Sequence, residues 1–198
     1  MKNKKVLFIT QAAAIAALYV VLTLLANALG LANYAIQVRF SEALTILPFF
    51  TPAAIPGLFI GCILGNWLSD CILWDIIFGS IATLLGAVGT YLIAHAKPKN
   101  TKLSQFHEIC CTIPPILANT IIVPFILAYA YHFEGGVPFF MLTVCIGEVI
   151  SCGILGSILL KTLKKYRGHL FEQPKVEPEK RENESGGNDA SAFFMHDL

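Results

Sequence analysis

Glu148 sits in the apolar run FFMLTVCIGEVISCGIL, about ten residues from the start of that run, where an ionisable side chain costs several kcal/mol unless it is paired or hydrated. It is the first candidate for a binding role, with a structural hydrogen bond to Asn119 on a neighbouring helix as the alternative reading. Arg39 and Glu42 stand three apart at the start of another apolar segment, and either pair with each other or meet a ligand. Asp75 opens a later segment, while Asp70, in a short polar junction, reads as a solvated loop acid. Trp67, Trp74, Tyr34, Tyr131 and Phe133 fall at the same level as Glu42, Asp70, Asp75 and Glu134, while Glu148 lies nearer the middle of its segment. These rings form either the Trp and Tyr belt common at a membrane interface or a wall on which a planar heterocycle stacks, each base contact being worth roughly 1–3 kcal/mol. Carboxylates beside such a wall suit the paired N–H donors of a guanine-like edge.

These groups need a scaffold, and composition says which kind. The chain has 198 residues, 56% of them hydrophobic and 14% charged, with mean hydropathy +0.67. That is far too apolar for a soluble domain of this length and indicates a polytopic membrane protein. The segment from Val6 to Ala28 has the basic flank of a signal peptide, but its apolar run exceeds a signal core, so it reads as a retained transmembrane helix. The stretch Arg39 to Asn66 holds Pro48, Pro52 and Pro56, then Gly57, Gly61 and Gly65. It crosses the bilayer either once as a long helix or twice as two short ones.

Positive residues decide between these topologies, because they prefer the cytoplasmic side of short loops. With six crossings, Lys2, Lys4 and Lys5, the loop with Lys97, Lys99 and Lys102, and the end from Lys161 to Arg167 all face the cytoplasm. With five, that loop falls opposite the amino terminus. The expected fold is therefore an all-α membrane protein, a six-helix transmembrane bundle in which helices 2 (about Glu42 to Phe50) and 3 (about Ala53 to Leu68) are short and proline-interrupted. Helix 2 must be shielded by protein, and the glycine stripe should bring helix 3 close to a neighbour. Helix 4 is expected from Trp74 to Ala96, helix 5 from Glu108 to Tyr131 with bends at Pro114, Pro115 and Pro124, and helix 6 from Pro138 to Leu163. Residues 1–167 form one domain, and 168–198, rich in Glu, Pro, Lys, Asn, Ser and Gly, form a disordered cytoplasmic tail.

Several chemistries are missing. No G-x-x-x-x-G-K-[ST] motif offers a P-loop, and neither HExxH nor GxSxG occurs, so an enzyme is not expected. The six cysteines contain no CxxC pair and read as small buried thiols, with no metal or cofactor implied. Without a recognisable inverted repeat, a self-sufficient secondary carrier is disfavoured, though an ion-coupled carrier using Glu148 stays as the second reading.

The residues VRFSEALTILPFFTPAAIPGLFIGC (Val38 to Cys62) and DIIFGSIATLLGA (Asp75 to Ala87) resemble the QueT family of queuosine-precursor transporters, over roughly residues 5 to 165. The resemblance implies a substrate-binding S component of an energy-coupling factor transporter, catching a preQ1-like 7-deazaguanine from outside. It implies as partners a transmembrane coupling subunit and two cytoplasmic ATPases, in a cell membrane and without nucleic acid. Arg39, Glu42, Trp74, Asp75, Asn119 and Glu148 are then the expected substrate contacts. Ala12, Ala13, Ala16 and Ala17 on helix 1 resemble the Ala-x-x-x-Ala surface through which such components meet the coupling subunit, and the motif fits both Ala12/Ala16 and Ala13/Ala17.

Overall fold

A computed structural model describes residues 4–31, 38–96, 103–131 and 136–170. Tyr34, Lys97, Lys99, Lys102, Phe133, Glu134 and the chain beyond 170 lie outside them. Every described regular element is helical, and six helices build the bundle: α1 (Lys4–Ala28), α2 (Phe40–Phe49), α3 (Ala54–Leu68), α4 (Leu73–His95), α5 (Ile113–Tyr129) and α6, which begins as Val137–Glu148. Four spans, Lys4–Ala28, Leu73–His95, Phe106–Tyr129 and Val137–Tyr166, are long and apolar enough to cross a bilayer, and Phe40–Phe49 and Ala54–Leu68 are shorter apolar helices. Val21, Leu85, Leu117 and Leu142 point outward and are more than half exposed, a surface suited to lipid. This is a multi-pass membrane protein.

α2 is the axis of the bundle. Ser41 through Pro48 are all buried, and the element touches α1, α3, α4 and α6. It is wound as a 3₁₀ helix, so its ten residues extend about 20 Å. Pro48 has no N–H to offer an α-helical ladder, and Glu42 N–H and Phe50 N–H both bond three residues back, to Arg39 and Leu47. Too short to cross alone, α2 is enclosed by protein, as a hydrocarbon environment requires.

The glycine stripe of α3 faces α1. A Cβ at Gly57 would stand 2.7 Å from the Ala12 carbonyl oxygen, and one at Gly61 would stand 2.8 Å from Tyr19 Cβ. Overpacking of this kind costs about 1–3 kcal/mol. Gly61→Leu is therefore expected to lower the midpoint of thermal unfolding in detergent by several degrees, whereas Ile60→Leu, on the outward face, should leave it unchanged.

Two elements depart from the sequence expectation. Helix 5 is interrupted instead of bent: a short helix, Leu103–Cys110, stops, and α5 restarts at Ile113 with Pro114 and Pro115 in its first turn. Tandem prolines are tolerated there because first-turn N–H groups have no intrahelical acceptor, and the rings pack on Gly86 and Gly89 of α4. The last helix, expected from Pro138 to Leu163, runs without a break to Leu170, but Val149–Leu155 is wound as a π-helix directly after Glu148.

Candidate functional site

Glu42 is held by three other helices. Tyr19 of α1 donates its hydroxyl to Glu42 Oε1, Thr83 of α4 donates to the same oxygen at 3.4 Å, and Asn119 Nδ2 of α5 donates to Oε2 at 3.3 Å. Glu42, Asn119 and Glu148 are all buried. Glu148 Oε2 accepts the Cys152 thiol at 3.1 Å, and that sulfur also lies 3.5 Å from Thr45 Oγ1 and 3.4 Å from the Glu42 carbonyl oxygen. One oxygen each of Glu42 and Glu148 and the Cys152 sulfur fall within 4.8 Å of one another, so residues 106 positions apart in sequence form one cluster.

The π winding contributes to this arrangement. Wide turns of this kind occur mostly at functional sites. Here the turn buries both Ser151 and Cys152, and Ser151 Oγ accepts the backbone N–H of Arg39 at 3.2 Å. The last helix thereby fixes the start of α2 from two positions.

Arg39 and Asp75 form the second part of the site. Their ion pair spans 3.5 Å between Nη2 and Oδ2, with side chains only 17% and 5% exposed. The Tyr131 hydroxyl donates to Asp75 Oδ2 at 3.3 Å and accepts Ile72 N–H at the same distance. Burial, then the Asp75 carboxylate, push the Tyr131 hydroxyl upward, so it stays protonated and keeps donating. Asp75 Oδ1 is buried with no partner among the described residues.

Arg39, Asn119 and Glu148, with Val123 and Val144, line a cavity with about 10 Å³ of free space for a water-sized molecule. That is room for roughly one water. The fused bicyclic ligand that the sequence resemblance implies needs many times more, so the cavity is closed to it in this conformation.

Of the expected contacts, Arg39, Asn119 and Glu148 meet at the cavity, Glu42 bonds to Asn119 behind it, and Asp75 reaches it through Arg39. Arg39 pairs with Asp75 and not with Glu42, and Asn119 bonds Glu42. Trp74 is placed apart: it is 56% exposed, stacks on Phe78 at 5.9 Å, and lines an apolar groove with Phe125 and Tyr129. Asp70 occupies the junction with φ 54°, a turn conformation that Asp tolerates. Sequence reasoning passed over Tyr19, Thr83 and Cys152. Cys152 was open to discovery, since it lies one helical turn from Glu148 on the same face.

The alanines of α1 divide between two faces. Ala12 and Ala16 pack on the glycine stripe, and Ala16 is buried. Ala13 and Ala17 are exposed. The profile of a family described as QueT transporter matches residues 9–165, most of the chain and all of the site. The chain belongs to the QueT transporter family. A curated relative in Lactococcus lactis subsp. cremoris (strain MG1363), named a queuosine precursor transporter, is 30% identical over 169 residues, covering 83% of this chain and 96% of the relative. No solved structure matches. Within the family, this chain therefore presents a buried polar site reached by five of its helices and, separately, one exposed small-residue face.

Proposed function

We propose that this QueT-family transporter is the substrate-capturing S component of an energy-coupling factor system, and that it takes a queuosine precursor of the 7-deazaguanine class from outside the cell. The observation that carries the reading is the closed cavity bordered by Arg39, Asn119 and Glu148, at a depth where unpaired polar groups are costly, in a chain whose relative is named for that substrate. A 7-deazaguanine brings an N–H/NH₂ edge, which suits the Asp75 oxygen left unpartnered among the described residues, and a carbonyl, to which Arg39 or Asn119 donates. An aminomethyl substituent adds a cation for the Glu42 and Glu148 carboxylates.

The direction of capture is supported by charge. Lys4, Lys5, Lys161, Lys164 and Lys165 gather at the end of the bundle away from Arg39 and Asp75, and basic residues favour the cytoplasmic side. Energy then comes from a transmembrane coupling subunit and two cytoplasmic ATPases, since this sequence contains no P-loop motif. The exposed Ala13/Ala17 pair is the surface offered to the coupling subunit, because Ala12/Ala16 is already used within the bundle.

Reconstitution of the purified chain, alone and with those partners, tests the proposal. Alone it should bind radiolabelled 7-aminomethyl-7-deazaguanine and accumulate none, and with partners and ATP it should accumulate it. Accumulation by the chain alone, driven by an ion gradient, would replace this reading with an ion-coupled carrier.

A further inference from the structure

We propose that the Glu42–Glu148 pair is a cation seat that holds one proton when empty and gives it up when the ammonium of a cationic ligand takes its place. The inference rests on the proposed function and adds a proton stoichiometry to it.

The argument begins with charge. Asp75, Glu42 and Glu148 are buried carboxyls, and Arg39 is the cation bordering their cavity. Arg39 is committed to Asp75 at 3.5 Å. Among the described residues, the side-chain partners of the other two are Tyr19, Thr83, Asn119 and Cys152, with none a base, and Cys62 faces the same space through its 3.4 Å contact with Thr83. Two carboxylates within 4.8 Å and out of water do not both stay ionised without a cation between them. Their protons therefore leave as from one coupled pair.

The donor count supports this. Glu42 has a side-chain donor at each oxygen, Tyr19 at Oε1 and Asn119 at Oε2, with the single Thr83 proton shared between Oε1, the Gly79 carbonyl and Cys62, the pattern of an ionised carboxylate. Glu148 borders the cavity, so the shared proton lies on the side where a ligand enters. When a ligand ammonium enters and the proton leaves, the site gains one positive charge and loses one. Its net charge is unchanged, and no additional buried charge is created.

The exchange is measurable on the unmodified protein. Calorimetry of 7-aminomethyl-7-deazaguanine binding, in buffers of different ionisation enthalpy, should show about one proton released per ligand bound, and affinity should rise with pH, by up to about tenfold per unit, for as long as the empty seat holds its proton. The neutral 7-cyano analogue should bind more weakly or not at all and release no proton. Tight binding of the aminomethyl compound with no dependence on buffer or pH overturns the proton seat while leaving the proposed function standing. The same holds for equal release by both compounds, and for binding that follows sodium concentration instead of pH. If neither compound binds, the proposed function fails and this inference fails with it.

Discussion

Glu148→Gln is expected to weaken binding of 7-aminomethyl-7-deazaguanine about ten- to a hundredfold while leaving the thermal unfolding midpoint nearly unchanged. Gln keeps the volume and can still accept from Cys152 at its amide oxygen, so the fold around the π turn is preserved. What is lost is the charge on the acceptor, and a hydrogen bond to a charged group contributes about 1.5–3 kcal/mol, which converts to that range of affinity. Isothermal titration calorimetry on the detergent-solubilised protein gives the affinity, and a scanning thermal melt of the same sample gives the midpoint. Unchanged affinity would remove Glu148 from the site. Glu42→Gln should behave differently, because Glu42 is tied to Tyr19, Thr83 and Asn119: there the unfolding midpoint should fall as well as the affinity.

The second large effect separates capture from transport. Trp in place of Ala17 or Ala13 should abolish ATP-driven uptake in the reconstituted complex and leave ligand binding by the isolated chain intact. Both positions are exposed on α1, and a bulky side chain there holds a partner helix away by several ångströms. Ala16→Trp should instead impair folding, since Ala16 is 7% exposed and its backbone lies about 3 Å from where a Gly61 Cβ would be. Uptake that survives Ala13→Trp and Ala17→Trp together would place the coupling surface elsewhere.

The sequence could reveal the six helices of the bundle and which two of them are short, because apolar length and proline placement are local properties. The same is true of the glycine stripe, whose four-residue spacing marks one helix face, and of the burial of Glu148. Partner choice was not legible. Arg39 has a carboxylate three residues away in Glu42, yet pairs with Asp75, brought near by the packing of α4 on α2. Tyr19 looked like any aromatic in an apolar helix, and only the approach of α1 to α2 puts its hydroxyl on Glu42. The aromatic residues separated for a similar reason: Tyr131 turns inward to Asp75, while Trp67 and Trp74 stay 67% and 56% exposed. The break before Pro114 follows from two adjacent residues lacking N–H groups, but whether a helix bends or restarts depends on what the rings meet, here Gly86 and Gly89.

The π turn also acts as gearing between the two ends of the molecule. Each residue added to or taken from a helix rotates everything beyond it by about 100°. Downstream of Val149–Leu155, Leu160 is buried beside Ile46 and Cys111, and Lys164 reaches Glu108. Shortening the chain by one residue within that turn would barely alter the length of the helix, yet it would swing Leu160 and Lys164 away from those neighbours. The winding beside Glu148 thus sets the phase in which the opposite face of the protein is assembled.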